Sequence, residues 1–390
     1  MISVSEARTH LLALVTQLET EEVPLAEAAG RVLARDLQAR RDQPPFSASA
    51  MDGYAVNAAE VELHAMFKVI GKAAAGHAFA GRVGAGQAVR IFTGAPVPEG
   101  ASFVVIQEDV TRSGDLITIT DEPGSNHNIR PRGGDFTDGQ TVTAPKLLTP
   151  ADIALLAAMN IASVPVTRRP EVALISTGDE LVMPGGTPGP DQIIVSNTFG
   201  LKAMLEDLGA HARILPIARD TESALRTAFE LAEGADLVVT IGGASVGDHD
   251  LVGKVAQDLG MERSFYKVAM RPGKPLMAGR MGRAAMAGLP GNPVSAMVCG
   301  HVFLAPMIRA MLGLPDEAQQ LQEATLAEPL GQNGPREHYM RAQVEYGQLT
   351  AFENQDSSLL TILADANALL VRAPNDGARA VGETVQYIPL

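Results

Sequence analysis

The run Leu237-Val238-Val239-Thr240-Ile241, followed at once by Gly242-Gly243, sets the first constraint on the fold. Five apolar or β-branched residues in a row suit a strand buried on both faces, and a glycine pair ends it. Beyond the pair come Ser245, Gly247 and two carboxylates around a histidine, Asp248, His249 and Asp250. Glycines let backbone N–H groups approach an anion because no Cβ stands in the way. Carboxylates at a strand end suit Mg2+, which takes one or two of them together with ligand phosphates. An ordinary strand-to-helix turn with solvated acids fits the same residues.

The surrounding sequence alternates two periods. Strands are expected at 172–176, 212–217 and 237–241, and helices at 197–208, 222–232 and 251–259. That alternation predicts an open α/β sheet with helices on both faces, whose ligands bind beyond the carboxyl ends of the strands. Acids follow each strand there: Asp179 and Glu180, then Asp220, then Asp248 and Asp250. Like charges about 4 Å apart cost roughly 4 kcal/mol at an effective dielectric near 20. A divalent cation relieves that repulsion, and so does spreading the acids along the edge.

Opposite charge comes next in the chain. Lys267, Arg271 and Lys274 fall close together, and alternation with Val268 and Met270 puts Lys267, Ala269 and Arg271 on one strand face. Pro272-Gly273 then turns the chain and aims Lys274. Such cations suit a phosphate held with Mg2+; plain surface charge is the alternative. After a strand at 284–287 comes Pro290-Gly291-Asn292-Pro293. Asn292 is expected to cap a helix over 294–312, with Pro293 at its first position and a kink at Pro306. Its positive end faces the same edge.

Outside this region the patterns change. Ser3 and Glu6 form a capping box ahead of a helix whose apolar face is Val4, Ala7, Leu11, Leu14, Val15 and Leu18. A second short helix is expected over 25–37, and a third over 151–159 behind Thr149-Pro150. Between them, β runs at 67–70, 88–92, 103–107, 116–120 and 141–144 predict a small antiparallel β domain. The segment FSASAMDGYA at 46–55 reads as an irregular loop, where Asp52 is either functional or a turn residue bonding its own backbone. IFTGAPVP at 91–98 and RPRGGDF at 130–136 are further polar loops, open to an anion or simply solvated. Residues 167–170 read as a linker, and from about 323 the pattern returns to β, with Arg336, Arg341, Ser357 and Ser358 its only candidate anion ligands.

A chain of 390 residues exceeds one ordinary core, so about two to four domains are expected. The formal charge of −14 disfavours a nucleic-acid or anionic-membrane binder, which needs basic surface. The absence of Trp and 4% aromatic content disfavour base stacking. One cysteine, Cys299, in an apolar run excludes an internal disulfide and reads as a buried inert thiol. The eight histidines are scattered, which argues against a His-based metal site. The first residues show no basic-then-apolar leader, and no run of about 18 apolar residues occurs, so a cytoplasmic protein with no membrane span is expected.

Taken in order, these motifs resemble one family. SAMDGYA at 49–55, IFTGAPVP at 91–98, RPRGGDF at 130–136, STGDEL at 176–181, VSN at 195–197, TIGGASVGDHD at 240–250, MRPGKP at 270–275 and LPGNPVS at 289–295 are similar to those of molybdopterin molybdenumtransferases, related to the E domain of gephyrin. The resemblance covers nearly the whole chain. It implies a segmented N-terminal helical domain (1–42 and 145–168), an inserted β domain (43–144), a three-layer α/β molybdopterin-binding domain (169–315) and a C-terminal β-barrel-like domain (323–390). It implies a homodimer whose active site is shared between chains, with transient contacts to the adenylyltransferase and to molybdoenzyme maturation proteins. The implied reaction turns adenylyl-molybdopterin and molybdate into molybdenum cofactor and AMP, with Mg2+.

Carried over by position, the resemblance gives Asp52, Glu180, Asp250, Lys267 and Arg271 catalytic roles. Thr93, Asp135, Ser176, Thr177, Gly178, Asp220, Gly242, Gly243, Ser245, Lys274, Pro290, Pro293, Arg341 and Ser357 are assigned to substrate, and Glu180, Asp220 and Asp250 to the metal. Arg271 stands where the family often has lysine, which replaces a point donor by a fork. The competing readings are a pterin adenylyltransferase or nucleotide amidase on the same α/β domain, and a gephyrin-like scaffold without catalysis. SAMDGYA speaks against the first, and the acid set with Lys267 against the second.

Overall fold

The computed structural model describes residues 1–243, 251–315 and 321–390. Its centre is a six-stranded sheet in the order His211–Ile214, Glu171–Ser176, Leu237–Ile241, Ala284–Leu289, Pro275–Met281, Glu262–Lys267. The first four strands are parallel and the last two antiparallel. Successive side chains point to opposite faces, and both faces are covered. Val172, Leu174, Leu237, Val239 and Ile241 pack with helix Asn197–Asp207 and the long helix from Pro293. Ala173, Ile175 and Val238 pack with helices Glu222–Leu231 and Leu251–Asp258. This is the three-layer α/β arrangement. The chain leaves Glu171–Ser176 toward one edge and returns on its other side at Leu237–Ile241, so the strand order reverses between these two.

The long helix departs from a simple proline kink. It runs as an α-helix at Pro293–Cys299, widens to a π-helical turn at Gly300–Leu304 and resumes at Ala305–Met311. Pro306 has no N–H to give and its ring crowds the preceding turn, and the wider turn absorbs both. Pro293–Met311 is the one helix among the described residues long and apolar enough to cross a membrane, and 78% of it is buried within the fold.

The C-terminal region is a closed five-stranded barrel. Gln322–Leu326, Glu337–Glu345, Gln348–Ala351, Ala368–Arg372 and Thr384–Pro389 pair in a ring, closed by Glu337–Glu345 against Ala368–Arg372. Met270–Arg271 adds to it from outside, parallel to Glu337–Glu345.

The N-terminal half differs more from its sequence reading. The capping box forms: Glu6 N–H donates to Ser3 Oγ at 3.1 Å and Ser3 N–H to Glu6 Oε2 at 2.8 Å. Yet helix Val4–Leu12 buries Val4, Ala7 and Leu11 in the α/β core, not against helix Pro150–Ala158. The helix expected over 25–37 is a single 3-10 turn, Leu25–Glu27, followed by the short strands Val32–Leu33 and Leu37–Gln38. Gly30, at φ +71, breaks the helical path, and Val32 and Leu33 are buried in a four-stranded sheet with Thr20–Pro24, Ser163–Thr167 and Lys146–Leu147. This region is therefore largely sheet.

SAMDGYA is likewise not all loop. Gly53–Val56 is a buried strand near the middle of a six-stranded sheet, between Phe103–Ile106 and Gln87–Ile91. That sheet is mixed, because Met66–Ala73 pairs parallel to Gln87–Ile91. The run at 141–144 joins Leu37–Gln38 instead. The expected linker is also fixed: Arg168 grips Asp236 with both terminal nitrogens, at 2.7 and 2.8 Å, and Glu19 at 2.7 Å.

Candidate active site

The crevice where the strand order reverses holds a cavity of about 560 Å3. Ser176, Thr177, Glu180, Asn197, Gly242, Pro275, Pro290, Gly291, Pro293 and Ser358 are among its walls. Strand Glu171–Ser176 is buried nearly to its end, which delivers Ser176 and Thr177 to the cavity floor. Both hydroxyls are buried, and among the described residues neither has a hydrogen-bond partner. Buried polar groups are ordinarily paired, so two adjacent unpaired hydroxyls on a cavity floor mark where a polar ligand fits.

Two glycines set the opposite wall. Gly242 (φ +92) and Gly243 (φ +64) adopt left-handed conformations. A Cβ at 242 would lie 2.7 Å from the Thr177 carbonyl oxygen, and one at 243 would lie 2.4 Å from Val252 Cγ2. Gly178 lies between Thr177 and the acids, and a Cβ there would meet the Glu180 carboxylate at 2.3 Å. Ser245, Asp248, His249 and Asp250 lie outside the described residues.

Acids crowd the rim. Arg219 Nη1 donates to the Asp179 carbonyl at 2.7 Å, and Asp220 N–H to Asp179 Oδ1 at 3.3 Å, which draws Asp179 and Asp220 together. Burial and then the charges of Asp179 and Glu180 raise the Asp220 pKa above its ordinary value. Among the described residues no three ligating side chains converge on one point. Glu180 lines the cavity, and Asp220 lies near enough for their charges to interact.

The helix start is built differently from expectation. Pro293 is the first helical residue, but the Asn292 side chain does not cap it; Asn292 Nδ2 donates to Ser357 Oγ at 3.0 Å. Val294 N–H donates to the Ser357 carbonyl at 3.1 Å. The barrel loop therefore seals the helix end and brings Ser358 into the cavity wall. Arg341, 2% exposed, is not in that wall. It donates to Gln355 Oε1 at 3.2 Å and the Asp356 carbonyl at 2.7 Å, and so shapes the loop carrying Ser357.

The cations lie on a neighbouring ridge. Val268 and Met270 are fully buried, which leaves Lys267, Ala269 and Arg271 facing the other way. Lys267 rests over the Tyr266 ring at 5.6 Å, and Lys274 is exposed. Arg271 pairs in register with His338, while Arg336 donates to the Met270 carbonyl at 3.2 Å. Burial, then Arg271, Arg372, Arg336 and Arg341, push the His338 pKa down to about 4, so this imidazole is neutral at pH 7.

A second group of expected residues lies in the inserted sheet. Asp52 Oδ1 accepts from Thr93 N–H at 2.8 Å and from Thr93 Oγ1 at 2.7 Å, which lowers the Asp52 pKa. It bonds the loop after strand Gln87–Ile91 rather than its own turn. Asp135 lines a separate cavity of about 680 Å3 with Arg41, Phe46, Gly94 and Arg130. Neither cavity takes a wall residue from the other. Ser196, Asn197 and Gly291 are wall residues that the sequence reading did not assign to the site; VSN at 195–197 is the available signal, since Asn197 Nδ2 donates to the Gly291 carbonyl at 2.7 Å.

Comparison with known proteins decides the family. "MoeA N-terminal region (domain I and II)" matches residues 2–160, "Probable molybdopterin binding domain" residues 173–310, and "MoeA C-terminal region (domain IV)" residues 323–390. The chain belongs to the molybdopterin molybdenumtransferase family. It is 35% identical to the molybdopterin molybdenumtransferase of Haemophilus influenzae, over 100% of this chain and 98% of that one. With the Bacillus subtilis molybdopterin molybdenumtransferase it shares 33%, over 99% and 94%. A solved structure of the MoeA molybdopterin biosynthesis protein from Pyrococcus horikoshii superposes with a TM-score of 0.86 at 27% identity, over all of both chains. Within this molybdenumtransferase family, the crevice at Ser176 and Gly242 falls inside the molybdopterin-binding match, and the Asp52–Thr93 pair inside the N-terminal one.

Proposed function

We propose that this chain performs the molybdenum-insertion step of molybdenum cofactor synthesis, converting adenylyl-molybdopterin and molybdate to molybdenum cofactor and AMP. The observation that carries this is the pair of buried hydroxyls of Ser176 and Thr177, without partners among the described residues, beside a glycine pair at the strand-order reversal. A negatively charged, polar nucleotide satisfies those hydroxyls and approaches the backbone at Gly242 and Gly243 without a clash. Ser176 and Thr177 orient it, and Lys267, Arg271 and Lys274 offset the charge of phosphate and oxyanion. Glu180 and Asp220, with Asp250, are the carboxylates that would hold Mg2+, whose part is to neutralise the phosphoanhydride.

The second half-site belongs to a second copy of the chain in this reading. Asp52 and Thr93 form a preorganised polar pair, and Asp135 lines a cavity of its own with Arg41, Gly94 and Arg130. Exposed Phe46, Met51 and Phe92 surround them, and exposed Met183, Ile193, Ile194 and Phe199 flank the strand-end crevice. Apolar surface beside both halves suits a homodimer that brings them together. A cytoplasmic location and brief contacts with the adenylyltransferase and with molybdoenzyme maturation proteins belong to the same proposal. Incubation with adenylyl-molybdopterin, molybdate and Mg2+ should release AMP in a molybdate-dependent way; no AMP from the intact protein would overturn the assignment.

A further inference from the structure

The segment that carries Lys267 and Arg271 is held by both outer parts of the chain at once. On one side Ile2 forms a single parallel bridge to Val268. Ile2 N–H donates to the Lys267 carbonyl at 3.0 Å, and Ala269 N–H donates to the Ile2 carbonyl at 2.7 Å. On the other side Glu337 N–H donates to the Ala269 carbonyl at 3.0 Å, and Met270–Arg271 pairs with Glu337 and His338. Ala269 therefore gives its N–H to one region and its C=O to the other. Val268 N–H closes the turn on the Lys274 carbonyl at 3.1 Å.

Among the described residues neither Lys267 nor Arg271 has a carboxylate partner. Long, unpaired cationic side chains do not fix their own place, so the backbone beneath them must. Val268 and Met270 pin that backbone from inside, being fully buried. Ile2 pins it from its edge. Helix Val4–Leu12 directly behind Ile2 is itself anchored by buried Val4, Ala7 and Leu11.

We propose that Ile2 is a positioning residue: its backbone bridge to 267–269 sets the placement of Lys267 and Arg271 for an anionic substrate. This rests on the proposed role of those cations in offsetting the charge of the bound phosphate. Ile2→Pro removes the N–H that reaches Lys267, and Ile2→Val retains it. Ser3→Ala weakens the helix start without touching either Ile2 hydrogen bond, and so controls for loss of stability alone.

The expected result for Ile2→Pro is amide exchange in the 267–271 peptide faster by about tenfold. Its KM for adenylyl-molybdopterin should rise about fivefold, the factor for one ordinary hydrogen bond, with kcat within about twofold. Ile2→Val and Ser3→Ala should match the parent protein in both measurements. Unchanged exchange in Ile2→Pro, faster exchange with unchanged KM, or the same changes in Ser3→Ala would each overturn the proposal. If the parent protein releases no AMP, the functional reading fails, and the exchange comparison by itself decides whether Ile2 holds the segment.

Discussion

The two polar centres of this molecule are built in opposite ways. The strand-end crevice sits on a sheet buried on both faces, and its hydroxyls at Ser176 and Thr177 have no partners among the described residues. The Asp52 centre sits just ahead of strand Gly53–Val56 in the six-stranded sheet, and its carboxylate already has two donors from Thr93. One centre is packed and unsatisfied, the other satisfied and open. A packed, unsatisfied crevice offers a ligand polar groups to which the described residues give no partner. A satisfied carboxylate on an exposed loop is positioned for something that must be brought to it, and in the shared-site reading that is the partner's crevice.

The sharpest way to break this contrast is to disable each centre separately. Asp52→Ala and Glu180→Ala should each lower AMP release by roughly a hundredfold or more, as expected when a positioned charged group is lost. If two chains share each site, mixing the two variants and letting subunits exchange should restore about a quarter of the parent rate. Half of the dimers are then mixed, and each has one intact site of two. No recovery in mixed dimers confirmed by mass would place both centres in one chain.

Gly243→Ala tests the packed side. A methyl at φ +64 and 2.4 Å from Val252 Cγ2 forces the turn to move, at a cost of roughly 2–3 kcal/mol. Denaturant unfolding should show that loss together with weakened binding of AMP. Gly94→Ala, also at positive φ (+79) but with open space around its Cβ, should cost only about 1 kcal/mol. Equal losses at the two glycines would erase the distinction between a packed and an open centre.

The smallest expected effect concerns the acids. The Asp220 pKa is raised, so the fold holds that proton to a higher pH than the unfolded chain does. Stability linked to it is present below the unfolded value of 3.8 and is lost as pH rises through the raised folded value. At pH 7 Asp179→Asn should therefore raise Tm by about one or two degrees, and added Mg2+ should raise the parent Tm more than the variant's. A fall in Tm on Asp179→Asn would mean that its contact with the Asp220 N–H outweighs the repulsion.

How much of this was legible follows from the kind of signal each part carries. The α/β region reads well because strands such as 237–241 and helices such as 222–231 have clean periods and glycine or threonine ends. The barrel strands read for the same reason. Residues 25–37 form one 3-10 turn and two short strands, of which only Val32–Leu33 is buried, and Gly30 at positive φ breaks the expected helix. Gly53–Val56 looked like loop because small and polar residues precede it, while its burial depends on strands distant in sequence. In the site, Arg341 read as an anion ligand because an isolated arginine carries no sign of the carbonyls it will meet. Ser358 was weighed only as a candidate anion ligand that surface could equally explain, since nothing local says that the barrel loop closes over Asn292.

The wide turn at Gly300–Leu304 has a consequence for how this protein tolerates change in length. An α-helix advances about 100° per residue, so one residue accommodated in a wider turn shifts the phase of everything after it. Met307, Ile308 and Met311 point into the core only with that shift in place. The turn holds one residue more than an α-helical turn, so removing that residue would close it to a regular turn and leave the last stretch facing the core, whereas a residue removed with the wide turn kept would rotate that stretch by about a quarter of a circle and swing Arg309 toward the apolar side. The helix thus works as a combination dial, and its apolar side meets the sheet at one setting.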